Sequence, residues 1–289
     1  MTARAYAKIN LGLRILRKRS DGYHDLETVF HQIDQYDELE FRLHEHAVML
    51  TSNHPSVPTD GSNLCVQAAN LLRDLTGTPD GVEIVLRKNI PLGAGLGGGS
   101  SDAALTLKSL VELWNLDISP QELHTLALSL GSDVPFFLDG GSAYATGRGE
   151  LLTPLSLSLP YWILVVTPPV HVSTAWAYKT LARKTPLPLK EFNITLLNHL
   201  HHPEILSMEL TNDFEPIVLE AHPELRRIRE TLLNGGMEMA FLSGSGSSIF
   251  GMTKSEANAK RHMKKFSSTA KVSLTPPFFS PLKQQASRP

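Results

Sequence analysis

Residues 91–102 read PLGAGLGGGSSD, with five glycines between Gly93 and Gly99. Glycine loses more backbone freedom on folding than any other residue, so a cluster this dense needs a compensating role. Its flanks narrow that role. GVEIVLRKNI, residues 81–90, alternates apolar and polar side chains as a strand does and stops at Pro91. Beyond the loop, Leu107, Leu110, Val111 and Trp114 recur at helical spacing. A strand, a glycine turn and a helix N-terminus in that order bring backbone N–H groups and the positive end of a helix dipole to one spot. Such a spot holds an anion, and glycines let the backbone close around it. The competing reading is a plain connector. Ser100, Ser101 or Asp102 is placed to cap the helix; Asp102 also falls where a metal ligand would be sought, with the cap as the simpler role.

Three phosphate cradles compete. Gly93, Gly95 and Gly98 satisfy the dinucleotide spacing G-x-G-x-x-G, and Asp117 lies at about the distance of its acidic partner. The residues between read as helix rather than as the second strand that fingerprint needs. A Walker loop needs a lysine after its last glycine, and Ser100 stands there instead. The third is a glycine loop that ends in two serines and uses no lysine.

Composition removes other classes. A net charge of −2 over 289 residues offers no electrostatic case for nucleic acid or an anionic membrane. One cysteine, Cys65, excludes an internal disulfide framework and reads as a small core residue. MTARAYAKIN lacks an apolar signal core, and YWILVVTPPV is too short to span a bilayer, so a soluble cytoplasmic protein is expected. HLHHPE, with His199, His201 and His202, has no matching carboxylate spacing and reads as a solvated loop; no metal site is expected in the protein itself.

Elsewhere, YAKINLGLRIL reads as a strand, Asp21-Gly22 as a turn, and residues 27–52 as two or three further strands. Asn63 is positioned to cap a helix through about Leu75, and Ser119-Pro120 to open another that stops at Gly131. VPFFLDGGSAYATGRGE suggests two strands around Gly140-Gly141. LPYWILVVTPP reads as a buried strand, residues 214–234 as helical, and MEMAFLSG as a strand before the small-residue loop SGSGSSIFGM. The closing SLTPPFFSPLKQQASRP is expected to end in a loose tail.

PLGAGLGGGSSDAA resembles the P-x-x-x-G-L-G-S-S motif of the GHMP kinases, the superfamily of galactokinase, homoserine kinase and mevalonate kinase. FLSGSGSSIFG resembles a second motif of that superfamily near its C-terminus. YAKINLGLRILRKRSDGYHDLETVF and GSDVPFFLDGGSAYATGRGE resemble one branch of it, whose substrate is a cytidine-diphosphate alcohol. The resemblance runs from about residue 4 to residue 251. It implies an α+β fold in two domains. Residues 1–155 would form an N-terminal GHMP domain, like the second domain of ribosomal protein S5, that carries the ATP loop. Residues 156–289 would form a ferredoxin-like C-terminal GHMP domain.

It further implies ATP and Mg²⁺, with Pro91, Gly93, Gly95, Gly97, Gly98, Gly99, Ser100 and Ser101 around the phosphates and Asn63 and Lys88 near the adenine. Ser100 or Ser101 would also help hold Mg²⁺. Asp133 matches the catalytic aspartate that orients the hydroxyl and accepts its proton. Lys8 matches the active-site lysine that offsets the charge on the transferring phosphoryl group. Asn10, two residues on, shares the strand face of Lys8 and is implied to bind substrate. Tyr23, His24, Thr174 and Tyr178 are implied at the cytidine end, with Asp133 at the acceptor hydroxyl. Gly244 and Ser245, with Gly246 and Ser247, form the second loop, beside the phosphates or the substrate diphosphate.

Overall fold

The computed structural model describes residues 1–181 and 185–281. It opens with two long strands, β1 (Thr2–Lys18) and β2 (His24–His44), paired across the Asp21-Gly22 turn, where Gly22 takes φ +87°. There follow β3 (Val48–Ser52), α1 (Leu64–Thr76), β4 (Gly81–Arg87), α2 (Gly98–Leu113), α3 (Pro120–Leu130) and α4 (Val134–Asp139). Next come β5 (Ser142–Thr146), β6 (Leu151–Pro154), β7 (Trp162–Thr167), α5 (Thr174–Leu181), α6 (Phe192–His199) and α7 (Pro203–Glu209). The chain closes with α8 (Glu215–Ala221), α9 (Pro223–Asn234), β8 (Met239–Leu242), β9 (Ile249–Thr253), α10 (Glu256–Phe266) and β10 (Lys271–Thr275).

The chain divides into two compact units. The first takes Met1–Ala7, Tyr36–Leu92 and Gly97–Asp139; the second takes Lys8–Gln35, Gly93–Leu96 and the chain from Gly140 onward. Each long strand therefore contributes one end to each unit.

In the first unit β4 lies between β3, parallel with Val48 opposite Val82, and the C-terminal half of β2, antiparallel with Glu38 opposite Arg87. Leu39, Phe41, Val82, Ile84 and Leu86 are buried along these strands. Helix α1 buries Cys65, Val66, Ala68, Ala69 and Leu72. The Asn63 side chain accepts the Cys65 amide at 2.8 Å, and Gly77 ends the helix in the left-handed region. Ser119 and Glu122 form a reciprocal capping box at the start of α3, with Pro120 in its first turn. Cys65 is 1% exposed, and burial pushes its thiol up, so it serves as a small apolar core residue.

In the second unit β7 to β10 form an antiparallel sheet in the order β10-β7-β9-β8. Numbered by sequence, that is 4-1-3-2, with α10 between the last two strands: a ferredoxin-like arrangement. Leu164, Val166, Leu232, Ile249, Ala259 and Phe266 meet in its core. The N-terminal half of β2 pairs with β5, His31 opposite Ser142, and β5 pairs with β6.

One expected strand is a helix. Val134–Asp139 forms α4, and Val134, Pro135, Phe136, Phe137 and Leu138 are all buried. A short run buried on every side carries no periodicity, so strand and helix look alike in sequence. Pro135 needs no N–H partner in a first helical turn. The second of the two expected strands, β5, does follow Gly140-Gly141. Of the expected tail, residues 282–289 lie outside the described residues. Among the described residues no helix is long and apolar enough to cross a membrane.

Candidate active site

Helix α2 starts without a side-chain cap. Its N-cap is Gly97 at φ +70°, so the expected capping by Ser100, Ser101 or Asp102 does not occur. All three lie inside the helix, and two are committed elsewhere. The Ser101 hydroxyl donates to the Tyr6 carbonyl at 2.7 Å, and the Asp102 carboxylate accepts from Lys88 Nζ at 2.7 Å. Among the described residues no side chain caps the orphan amides of the first turn, which can then meet an external acceptor.

Gly93, Gly95 and Gly97 sit at φ +61°, +79° and +70°, an alternation that residues with a Cβ resist. At Gly95 the glycine is required twice over. A Cβ there would run into the Ser243 carbonyl of the second loop. Ser243 Oγ donates to the Gly95 carbonyl at 2.9 Å, and the Ser248 amide donates to the Ala94 carbonyl at 3.2 Å. At Gly98 a Cβ would stand 3.0 Å from Ile90 Cγ2 and 3.3 Å from Lys88 Nζ, so the helix start is pressed on the end of β4. These contacts tie Ala94 and Gly95 to the second small-residue loop, so the glycine at position 95 has a packing reason of its own.

In the first unit a cavity of about 190 Å³ has apolar walls from Val57, Leu64, Leu86 and Leu92, with Asn63, Lys88, Gly99 and Asp102 at its polar side. Lys88 is 8% exposed and bridges two buried carboxylates, Asp37 and Asp102. Burial opposes the charge on Lys88, yet the two carboxylates outweigh it and hold its ammonium above the ordinary range. Burial pushes the Asp102 carboxyl well up against the pull of Lys88, and its Oδ1 has no hydrogen-bond partner among the described residues. Asp37 is anchored further: its Oδ1 accepts the amides of Asn89 and Ile90 at 2.5 and 2.8 Å. Asn63 lines the same cavity while its amide group donates to the Pro58 carbonyl at 2.7 Å. Asp133, half-buried, stands between α3 and α4 in this unit.

The second unit holds the other catalytic candidate. Lys8 is 5% exposed, donates to Asn10 Oδ1 at 2.7 Å and stands 4.7 Å over the Phe30 ring. Asn10 in turn donates to Thr28 Oγ1 at 2.9 Å, and that hydroxyl donates to the Gly12 carbonyl at 2.5 Å. This relay fixes which end of the Asn10 amide faces Lys8. Thr174 and Ser245 share a hydrogen bond at 2.8 Å, and the Asn212 amide group donates to the Leu242 and Gly244 carbonyls at 2.9 and 2.8 Å. Gly244 sits at φ +58°.

His24 and Tyr178 stack on each other, centroids 4.7 Å apart and planes 27° from parallel. His24 thus covers one face of the Tyr178 ring. Burial, then the Lys18 charge, lowers the His24 pKa, which keeps one ring nitrogen a donor and the other an acceptor near neutrality. Tyr23, by contrast, is 56% exposed. His199 ends α6 and His202 precedes α7.

Thr28, Asp37 and Asn212 escaped the sequence reading. For Thr28 and Asp37 the one signal is a polar residue inside a strand covered on both faces: Glu27, Thr28, His31, Gln32, Gln35 and Asp37 are all buried along β2, whereas Asn212 lies between α7 and α8 and carries no such signal.

A lysine-free glycine loop opening a helix, set in this α+β fold, defines a GHMP kinase: residues 63–141 match the model of the GHMP kinases N terminal domain, and residues 197–271 that of the GHMP kinases C terminal. The chain is 45% identical to the 4-diphosphocytidyl-2-C-methyl-D-erythritol kinase of Prosthecochloris aestuarii, over 97% of this chain and 98% of that one. It is 46% identical to the enzyme of the same name from Chlorobium phaeobacteroides, with the same coverage. A crystal structure of 4-(cytidine 5'-diphospho)-2C-methyl-D-erythritol kinase superposes at TM-score 0.81 and 35% identity, covering 95% of this chain and 98% of that one. The chain belongs to the family of 4-diphosphocytidyl-2-C-methyl-D-erythritol kinases within the GHMP kinases. A homoserine kinase from Cytophaga hutchinsonii, 20% identical at TM-score 0.72, shares the fold.

Proposed function

We propose that the chain is a cytoplasmic kinase that transfers the γ-phosphoryl group of ATP to the 2-hydroxyl of 4-diphosphocytidyl-2-C-methyl-D-erythritol, a step of the non-mevalonate route to isoprenoid precursors. The observation that carries the reading is the uncapped start of α2 behind three left-handed glycines, which leaves backbone N–H groups for a phosphate. The nucleotide phosphates lie along Gly93 to Ser101. The cavity walled by Val57, Leu64, Leu86 and Leu92, with Asn63 and Lys88 at its polar side, suits a purine ring.

Mg²⁺, when bound with the nucleotide, would neutralise charge on its phosphates. Asp102 and Ser101 are buried, 2% and 3% exposed, whereas Ser100 is half-buried, so Ser100 is the serine placed to reach the ion. Phosphoryl transfer passes through a loose, anionic transition state, so the chain's own residues act by positioning and by charge. Asp133 accepts the proton of the acceptor hydroxyl on a carboxylate oxygen. The Lys8 ammonium offsets the charge that grows on the transferring group, and Asn10, fixed by Thr28, orients the hydroxyl. Tyr23, His24, Thr174 and Tyr178 bind the cytidine end. Gly244 and Ser245 flank the diphosphate.

Asp133→Asn tests this directly. Turnover is expected to fall by about 10²–10⁴-fold, the usual worth of a positioned acid or base, while ATP affinity by calorimetry stays put. Near-normal turnover would remove Asp133 from the chemistry.

A further inference from the structure

The substrate residues named above leave Arg148 without a role. It lies in the turn GRGE between β5 and β6, flanked by Gly147 at φ +68° and Gly149 at φ +108°. That turn is docked on the cytidine end: the Gly147 carbonyl accepts the Leu26 amide at 2.7 Å, two residues from His24. The Arg148 guanidinium stands 4.7 Å over the Tyr23 ring. Glu150 restrains it from below, accepting the Arg148 amide at 2.5 Å and lying 3.8 Å from its Nε. Among the described residues, Tyr23 is otherwise held through its backbone. Its amide donates to Asp21 Oδ1 at 3.1 Å, and its carbonyl accepts the Arg19 amide at 2.8 Å. Arg148 is therefore the contact that sets the plane of an otherwise exposed ring.

We propose that Arg148 is a positioning residue for the cytidine end of the substrate: held by Glu150, it covers one face of Tyr23 and so presents the other face to the base. The inference rests on the cytidine reading of Tyr23 given above. Arg suits the task because its planar cation lies flat on an aromatic face, and its positive charge leaves the ring held without burying it. A base that stacks on Tyr23 does so in the ground state as well as in the transition state, so loss of the arrangement reads out in substrate capture rather than in kcat.

The experiment is a double-mutant cycle with 4-diphosphocytidyl-2-C-methyl-D-erythritol and ATP, using Arg148→Ala, Arg148→Met, Arg148→Lys, Tyr23→Ala and the Tyr23→Ala/Arg148→Ala pair. Arg148→Ala and Arg148→Met are expected to raise KM for the cytidyl substrate roughly three- to tenfold, the range of an exposed to partly shielded cation–π contact, with kcat and the KM for ATP unchanged. Arg148→Lys restores part of the loss. In the Tyr23→Ala background, Arg148→Ala adds nothing further. An equal additional loss in that background means that Arg148 meets the substrate by itself, and overturns the proposal. So does an unchanged KM in both Arg148→Ala and Arg148→Met while Tyr23→Ala is impaired; the cytidine reading then survives alone. An unchanged KM in Tyr23→Ala brings down the placement of cytidine at Tyr23 and the role of Arg148 together.

Discussion

Two buried charged or chargeable sites set the pH response residue by residue. His31 is fully enclosed, with its Nδ1 2.7 Å from the Ser142 hydroxyl, and burial lowers its pKa from 6.5 to about 4. Between those values the unfolded chain takes up a proton that the folded chain refuses. Stability therefore falls as pH drops from 6.5 toward 4, and by pH 4 the loss from this group approaches about 3 kcal/mol. Unfolding by urea across that range should show a shallower slope in His31→Asn than in wild type. Equal slopes would mean that His31 is protonated in the folded chain. At the second site, Lys88→Met strands Asp37 and Asp102 in the interior, and a loss of about 3–5 kcal/mol is expected. Asp102→Asn removes one carboxylate from the buried bridge while Asp37 still holds Lys88, so a smaller loss than for Lys88→Met is expected. Denaturant midpoints for the two variants check the contrast; equal costs would show that Asp37 alone does not hold Lys88.

At the scale of elements the glycine loop separates into positions with different physical demands. Gly95 combines φ +79° with the Ser243 carbonyl against it, whereas a Cβ at Gly99, in the first turn of α2, meets only Leu64 Cδ1 at 3.9 Å. Gly95→Ala is expected to lower stability by at least roughly 1–2 kcal/mol from the left-handed backbone alone, and to weaken ATP binding. Gly99→Ala is expected to hold or raise stability by up to about 1 kcal/mol, since alanine suits a helix interior better than glycine. Thermal unfolding of both variants decides it, and a similar loss in the two would deny the special place of Gly95. Much of this level is legible in sequence. Asn63, Ser119-Pro120 and Gly22 announced their helix starts and turn because cap and turn chemistry is local. Helix α4 was not legible, because five buried apolar residues carry no period. The free start of α2 was not legible either. Serines and an aspartate at a helix entrance look like caps until Tyr6 and Lys88, distant in sequence, claim two of them.

At the scale of the whole molecule, two stretches point to the superfamily, PLGAGLGGGSSDAA and FLSGSGSSIFG, and two more to its branch. No local pattern conveys that β1 and β2 each lend one end to each compact unit, which puts Lys8 in one unit and Asp133 in the other. Pairings such as Asn10 with Thr28, and Asn212 with the second loop, likewise depend on which strands become neighbours. This fold is expected to phosphorylate a cytidine-diphosphate alcohol at the expense of ATP. The purified chain with ATP, Mg²⁺ and a panel of alcohols, with products identified by mass, tests it most directly. The panel sets 4-diphosphocytidyl-2-C-methyl-D-erythritol against its uridine counterpart, homoserine and mevalonate. One phosphoryl group added to the cytidyl alcohol, with the base-free alcohols left untouched, is the expected result. Transfer to a base-free alcohol with the cytidyl substrate unchanged would contradict the account.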